Sequence, residues 1–302
     1  MTMSEAFENF ITEKRVQGLA EKSITCYTDC IVPFIRELGS DFPVTSLTKA
    51  HLDRYILKLQ KKDTLSKATI ATYVRNIKVM LLWIEEEFEI VIGAKKVKVP
   101  RSPKKMVRVY DPDEITMIFD SVTADSEWIV ERNRAIIALM LDSGLRQNEV
   151  CTLKASDVDF KKRIIKVYGK GSKERYVPFG KLSARYMDTY RKLCPLCLTE
   201  EETFFVARRG GAMSCDSVKH FMTRLSRKLP FELSSHKLRH NYATNYCLDQ
   251  LRTRGNVDVN KLQILMGHED LATTQRYLHI ATKIFALEGN FSHLDSLFVL
   301  EN

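Results

Sequence analysis

A chain of 302 residues exceeds one typical compact domain and suits two. With 44% apolar residues it can bury real cores, which excludes a disordered chain. Its longest apolar run, "AIIALML" at 135–141, is far short of a membrane span. Lys and Arg number 47 against 38 Asp and Glu, and the net charge of +9 suggests a polyanionic partner, nucleic acid first among them.

The opening "MTMSEAFENF" carries acids and lacks the positive and apolar regions of a signal peptide. Seven cysteines, an odd number without a framework, fit a reducing cytoplasm. Cys194 and Cys197 form one CxxC, and without a second pair it is not read as a zinc site.

Residues 1–94 read as four amphipathic helices, a small bundle. Ser4 is placed to cap the first, with Phe7, Phe10 and Ile11 on one face, and Ser23 to open the second, through Tyr27, Ile31, Phe34 and Leu38. Thr48 opens the third and Ser66 the longest, through Ile70, Tyr73, Ile77, Leu81 and Ile84. The stretch "KKVKVPRSPKKMVRV", 95–109, holds seven basic residues, two prolines and no acid, as an interdomain linker along a phosphate backbone would. A solvated basic loop would look the same.

The second domain, 110–302, starts at Asp111, a cap followed by Pro112 and by Glu114 at the positive end of the helix dipole. A helix over 129–141 leads to "SGLRQNEV", then two β-runs, 163–168 and 175–179, flank the turn "GKGSKE". Helices follow at 182–193, 215–228, 236–249, 259–266 and 271–279. The fold class is therefore mainly α with a small antiparallel sheet.

Four polar clusters stand out. Arg146 opens a helix, where its charge opposes the dipole and calls for solvent or an anion, while pairing with Glu149 is the structural alternative. Lys170, between glycines at a hairpin tip, could be merely solvated, or could reach a phosphate or protonate a leaving oxygen. His236 and Arg239 share a helical face. His240 is four residues from His236, but no carboxylate base or third ligand accompanies the pair, so no metal is expected. His268 and Tyr277 complete the set. Asp157 and Asp159 read as a turn. Sites rich in cations and poor in carboxylates suit metal-free chemistry on a phosphodiester, where guanidiniums stabilise the pentacoordinate transition state.

The motifs "GLRQNEV", "GKGSKERYVPFG", "HKLRHNYAT" and "LMGHEDLATTQRYLH", in that order, closely resemble those of the tyrosine recombinase, or phage-integrase, family over about 110–280. The N-terminal bundle is similar to that family's SAM-like core-binding domain. The resemblance implies that Tyr277 attacks the scissile phosphate to give a 3′-phosphotyrosyl bond. Arg146, Arg239 and His268 would stabilise the transition state, His236 would assist as base or hydrogen-bond partner, and Lys170 would protonate the 5′ oxygen. Glu149 would support Arg146. Because the covalent bond stores the phosphodiester energy, no cofactor is expected.

It also implies duplex DNA as partner, a homotetramer on synapsed sites from a monomer or weak oligomer, possible accessory DNA-bending proteins, and a cytoplasmic, nucleoid-associated place. Groove contacts are expected from Lys67, Thr69, Arg75 and Lys78 on the fourth helix, and phosphate-backbone contacts from Lys104 and Lys105 in the linker. The tail residues Leu294, Leu297, Phe298 and Leu300, after a possible Ser292 cap, are expected to dock on a neighbouring protomer. "RTRGNVD", 252–258, looks like an extra loop, and a core-site enzyme without a separate arm-site domain is expected. A mobile-element integrase, transposase or resolvase is the leading expectation. A Xer-type dimer resolvase, an inactive DNA-binding regulator and a type IB topoisomerase are the alternatives.

Overall fold

The computed structural model describes residues 1–101, 108–169, 174–196 and 202–288. The chain divides into two compact units, Met1–Lys105 and Met106–Asn302.

In the first unit, α1 (Met3–Val16), α2 (Glu21–Leu38), α3 (Lys49–Gln60) and α4 (Lys67–Glu87) enclose one apolar core. Phe10 sits at its centre, its ring centroid 5.2 Å from Tyr27 and 5.5 Å from Trp83, in edge contacts that aromatic quadrupoles favour. Thr48 and Ser66 cap α3 and α4, as their sequence positions suggested. The first two starts differ. Thr2 is extended and exchanges hydrogen bonds with Glu5 in a capping box, so α1 begins before Ser4. Ala20 is the last extended residue before α2, which leaves Ser23 inside the first turn.

The basic segment after the bundle begins as part of this unit. Glu85 Oε1 accepts the N–H groups of Ile92, Gly93 and Ala94, with Gly93 in the left-handed region at φ +85°. Ala94 and Val97 are buried in the core. A free linker over 95–109 is thus shortened at its start.

In the second unit, α5 (Pro112–Asp120) begins with the Asp111–Glu114 capping box, and α6 (Glu127–Ser143) runs through the core with Ile136, Leu139 and Met140 buried. Gly144 ends α6 at φ +63°, and the short α7 (Gln147–Cys151) follows. The sheet has three antiparallel strands in sequence order, β1 (Val158–Asp159), β2 (Ile164–Tyr168) and β3 (Glu174–Pro178). Arg163, expected in β2, takes φ +54°, which is not a strand conformation, so β2 starts one residue later. Asp159 belongs to β1 while its Oδ1 accepts the Lys162 N–H, so it serves both strand and turn. Ile165 pairs with Val177 and turns inward with Val167.

Four helices complete the unit before the last: α8 (Lys181–Leu193), α9 (Cys215–Ser226), α10 (Ser235–Arg254) and α11 (Val259–Met266). The last is α12 (Leu271–Phe285). Of the expected loop at 252–258, the first three residues extend α10, because no breaker precedes Gly255, which caps the helix at φ +72°, and residues 255–258 form the connection to α11. A second, smaller cluster joins α10, α11 and α12 through Ala243, Cys247, Leu262, Met266 and Ala281, and it includes Tyr277. Among the described residues no helix is long and apolar enough to cross a membrane.

Candidate active site

The site is assembled around one buried carboxylate. Arg146 is extended at the start of α7 and its backbone N–H donates to Glu149 Oε2 at 2.8 Å, while its Nη1 reaches Glu149 Oε1 at 2.9 Å. The structural pairing weighed against function is therefore present, and it does not exhaust the side chain. Nη2 of Arg146 also donates to the Gly267 carbonyl at 2.7 Å, which ties α7 to the loop before α12.

Arg239, on the inward face of α10, is only 5% exposed. Its Nη1 donates to the Gly144 carbonyl at 2.5 Å and its Nη2 to the Met266 carbonyl at 2.5 Å and to His268 Nε2 at 3.2 Å. A guanidinium has no acceptor, so His268 Nε2 must present a lone pair and Nδ1 carries the proton, which it donates to Thr274 Oγ1 at 2.9 Å. Burial, then the charges of Arg239, Arg146 and Arg175, push the His268 pKa down to about 4, so the imidazole is neutral at neutral pH. Burial, then repulsion from Arg146, lowers the Arg239 pKa to about 10, with the guanidinium still charged at neutral pH.

Tyr277 lies on the inner face of α12, 5% exposed, with its ring stacked on His268 at 6.0 Å between centroids and 12° between planes. Its hydroxyl is 2.6 Å from His240 Nδ1. Burial raises the phenol pKa, and Arg239, Arg276 and Arg146 offset part of that rise. His240 is lowered by burial and by His236, Arg239 and Arg276. His236 is exposed, and its ring centroid lies 6.3 Å from that of His240; among the described residues it makes no side-chain hydrogen bond.

The structure thus brings together Arg146, Glu149, Arg239, His268 and Tyr277, and leaves His236 at the edge. Lys170, in the segment between β2 and β3, lies outside the described residues, as do Lys104, Lys105, Cys197 and the tail 290–302. On α4, Thr69 is bound up with the Ser66 cap, and Lys78 donates to the carbonyls of Lys95 and Val97 at 3.2 and 2.9 Å. Lys67 and Arg75 are exposed. Among the described residues no group of three or more His, Cys, Asp or Glu side chains is placed to hold a metal ion. A separate cavity of about 590 Å³, with Arg132, Arg208 and Arg224 in its wall, contains none of the residues of this site.

Residues 108–283 match the phage integrase family, and residues 7–87 match the phage integrase N-terminal SAM-like domain. The chain belongs to the phage integrase family, the tyrosine recombinases. Tyrosine recombinase XerC of Corynebacterium efficiens is 28% identical over 286 residues, covering 93% of this chain and 88% of that one. XerC of Psychromonas ingrahamii is 29% identical over 301 residues, covering 97% and 94%. In fold, the chain is similar to the Tn1549 transposon integrase solved with transposon right end DNA, at TM-score 0.74 and 18% identity over 92% of this chain and 94% of that one. A lambda integrase dimer bound to a COC′ core site gives TM-score 0.73 at 17% identity, covering 92% and 95%.

Three residues of this tyrosine recombinase site escaped sequence reasoning. Arg175 lies five residues after Lys170 in the same motif, and both its terminal nitrogens contact Glu149 while its Nε donates to the Leu265 carbonyl. Its inward direction was readable from alternation, since Val177, two residues on, is an inward strand position. His240, whose spacing from His236 suggests only a metal pair, instead meets the Tyr277 hydroxyl. Thr274, three residues before Tyr277 on α12, carries no motif of its own.

Proposed function

We propose that this chain is a site-specific recombinase that cuts and rejoins duplex DNA through a 3′-phosphotyrosyl bond to Tyr277. The observation that carries the reading is the convergence of Arg146, Arg239 and His268 on one cluster, with the Tyr277 ring stacked against His268. Three guanidiniums share the single carboxylate Glu149, so the cluster retains excess positive charge for a phosphate. Arg146 and Arg239 hold the nonbridging oxygens, and neutral His268 assists them through hydrogen bonding. Lys170 protonates the 5′ oxygen as it leaves, and the family resemblance assigns help to the nucleophile to His236. Duplex DNA is the partner, bound also through Lys67 and Arg75, with Lys104 and Lys105 along its backbone. Four protomers act on two synapsed sites, and a lambda integrase tetramer solved on a Holliday junction supports that count.

For biological role, curated relatives named XerC that span nearly the full chain favour a Xer-type resolvase of chromosome or plasmid dimers. The likeness to transposon and lambda integrases keeps a mobile-element integrase as the second reading.

The test uses duplexes that the protein selects from a random-sequence pool, nicked so that the cleaved strand diffuses away. The reading predicts a protein–DNA adduct that survives denaturation, forms in EDTA and is absent with Tyr277→Phe. Tight binding with no adduct would instead favour a DNA-binding regulator. Plasmid multimers accumulating on deletion of the gene would support the Xer-type role, and lost excision of a surrounding segment the mobile-element role.

A further inference from the structure

We propose that His240, and not His236, takes the phenolic proton of Tyr277 when its oxygen attacks phosphorus. The inference rests on the reading of Tyr277 as nucleophile and replaces the role given to His236.

A proton acceptor must be within hydrogen-bond reach of the group that it deprotonates. His240 Nδ1, 2.6 Å from the hydroxyl, meets that condition. His268 is nearer to the guanidiniums but has no lone pair to spare, since Nε2 accepts from Arg239 and Nδ1 donates to Thr274. His236 is exposed, and its ring packs against His240 on the same helix. The helix that carries His240 is fixed next door: Asn241 Oδ1 accepts the Tyr110 N–H at 2.6 Å, and its Nδ2 donates to the Lys237 carbonyl at 3.0 Å.

The step balances without another reagent. As the Tyr277 oxygen bonds to phosphorus, its proton passes to His240 Nδ1, which becomes imidazolium. The bond from phosphorus to the 5′ oxygen breaks, and that oxygen takes its proton from a separate acid. In rejoining, the 5′ hydroxyl attacks, and the imidazolium returns its proton to the departing phenolate. The surroundings also make the transfer depend on substrate. His236, Arg239 and Arg276 oppose a positive imidazole in the free protein, and burial opposes a phenolate. The negative charge of a bound phosphate reverses the first of these, so the proton moves when DNA is in place.

The test compares single-turnover adduct formation on the nicked duplex for the wild-type protein and for His240→Asn, which keeps a polar acceptor near the position of Nδ1 but is no base. The expected loss for a general base is about 10²–10⁴-fold, with DNA affinity unchanged. Placing 3,5-difluorotyrosine at position 277 makes the phenol more acidic, and it should restore most of the lost rate within the same His240→Asn protein. Because rescue is read inside one variant, a partly unfolded fraction does not imitate it. Sulfur in place of the bridging 5′ oxygen should not rescue, since the leaving group is not the defect. Wild-type rate in His240→Asn, failure of the fluorinated tyrosine to rescue it, or rescue of His236→Asn instead would overturn the assignment. If the wild-type protein forms no adduct, the functional reading falls first and the inference with it.

Discussion

Glu149 and Arg175 form a two-pronged pair, each carboxylate oxygen 2.8 Å from one terminal nitrogen of the guanidinium. Both side chains are less than a tenth exposed, and the same carboxylate accepts from Arg146 and lies 3.9 Å from Arg239. Burial pushes the Glu149 pKa up, but hydrogen bonds and charge from Arg175 and Arg146 carry it below the usual carboxylate value. Glu149→Gln would leave three guanidiniums without a carboxylate between them. Breaking a buried pair by removing one partner costs about 3–5 kcal/mol, and urea unfolding at pH 7 should show a loss of that order. Added sulfate should restore part of it by occupying the uncovered cations.

Gly144 is expected to tolerate no side chain. A Cβ there would lie 2.3 Å from Tyr242 Cδ1, and the residue has φ +63°. Gly255 has φ +72° with nothing within 4 Å of the added atom. Left-handed backbone costs an L-residue roughly 1–2 kcal/mol, which is all that Gly255→Ala should lose. Gly144→Ala should lose clearly more, because it must also displace Tyr242, and it would move the carbonyl that holds Arg239. Paired urea titrations of the two variants measure the difference.

Much of this site was legible because its residues carry chemistry in short motifs. Gly144, Arg146 and Glu149 sit within six positions, and local capping geometry alone joins them. The helices of the first unit were readable from apolar spacing, with errors confined to starts where Thr2 and Ala20 carry the cap backbone. What could not be read is set by long-range contact. Arg175 meets Glu149 across 26 positions, and His240 meets Tyr277 across 37. Neither spacing has a period that a sequence displays. The same holds for Lys78, whose position suggests an outward charge until the chain turns back and offers it two carbonyls.

Acid should destabilise the protein in two windows. His268 has a folded pKa of about 4 against the ordinary 6.5, and His240 is lowered in the same direction. A histidine depressed by folding binds more protons when unfolded, so its effect is absent above pH about 6.5 and grows as pH falls toward the folded value. Glu149 is also depressed, but for a carboxylate the stability is present above the unfolded pKa of 4.5 and is lost below it. Stability measured by urea at pH 7 and pH 5 should therefore fall through the histidines. His268→Gln should lose less between those two values than the wild-type protein, whatever its stability at pH 7.

Lys78 and Lys67 should respond differently to neutralisation, although both were expected at DNA. The Lys78 ammonium is occupied by the carbonyls of Lys95 and Val97, so it secures the chain after α4 to the bundle. Removing a charged hydrogen-bond donor of this kind costs about 1.5–3 kcal/mol, and Lys78→Met should lower stability with little change in how DNA affinity depends on salt. Lys67 is exposed, and among the described residues its ammonium makes no hydrogen bond or ion pair. If it meets a phosphate, Lys67→Met should leave stability within about 0.5 kcal/mol of wild type and reduce the slope of log affinity against log salt by about 0.9. Binding titrations on duplex DNA across a range of salt separate the two. An unchanged slope for Lys67→Met would remove that residue from the DNA surface.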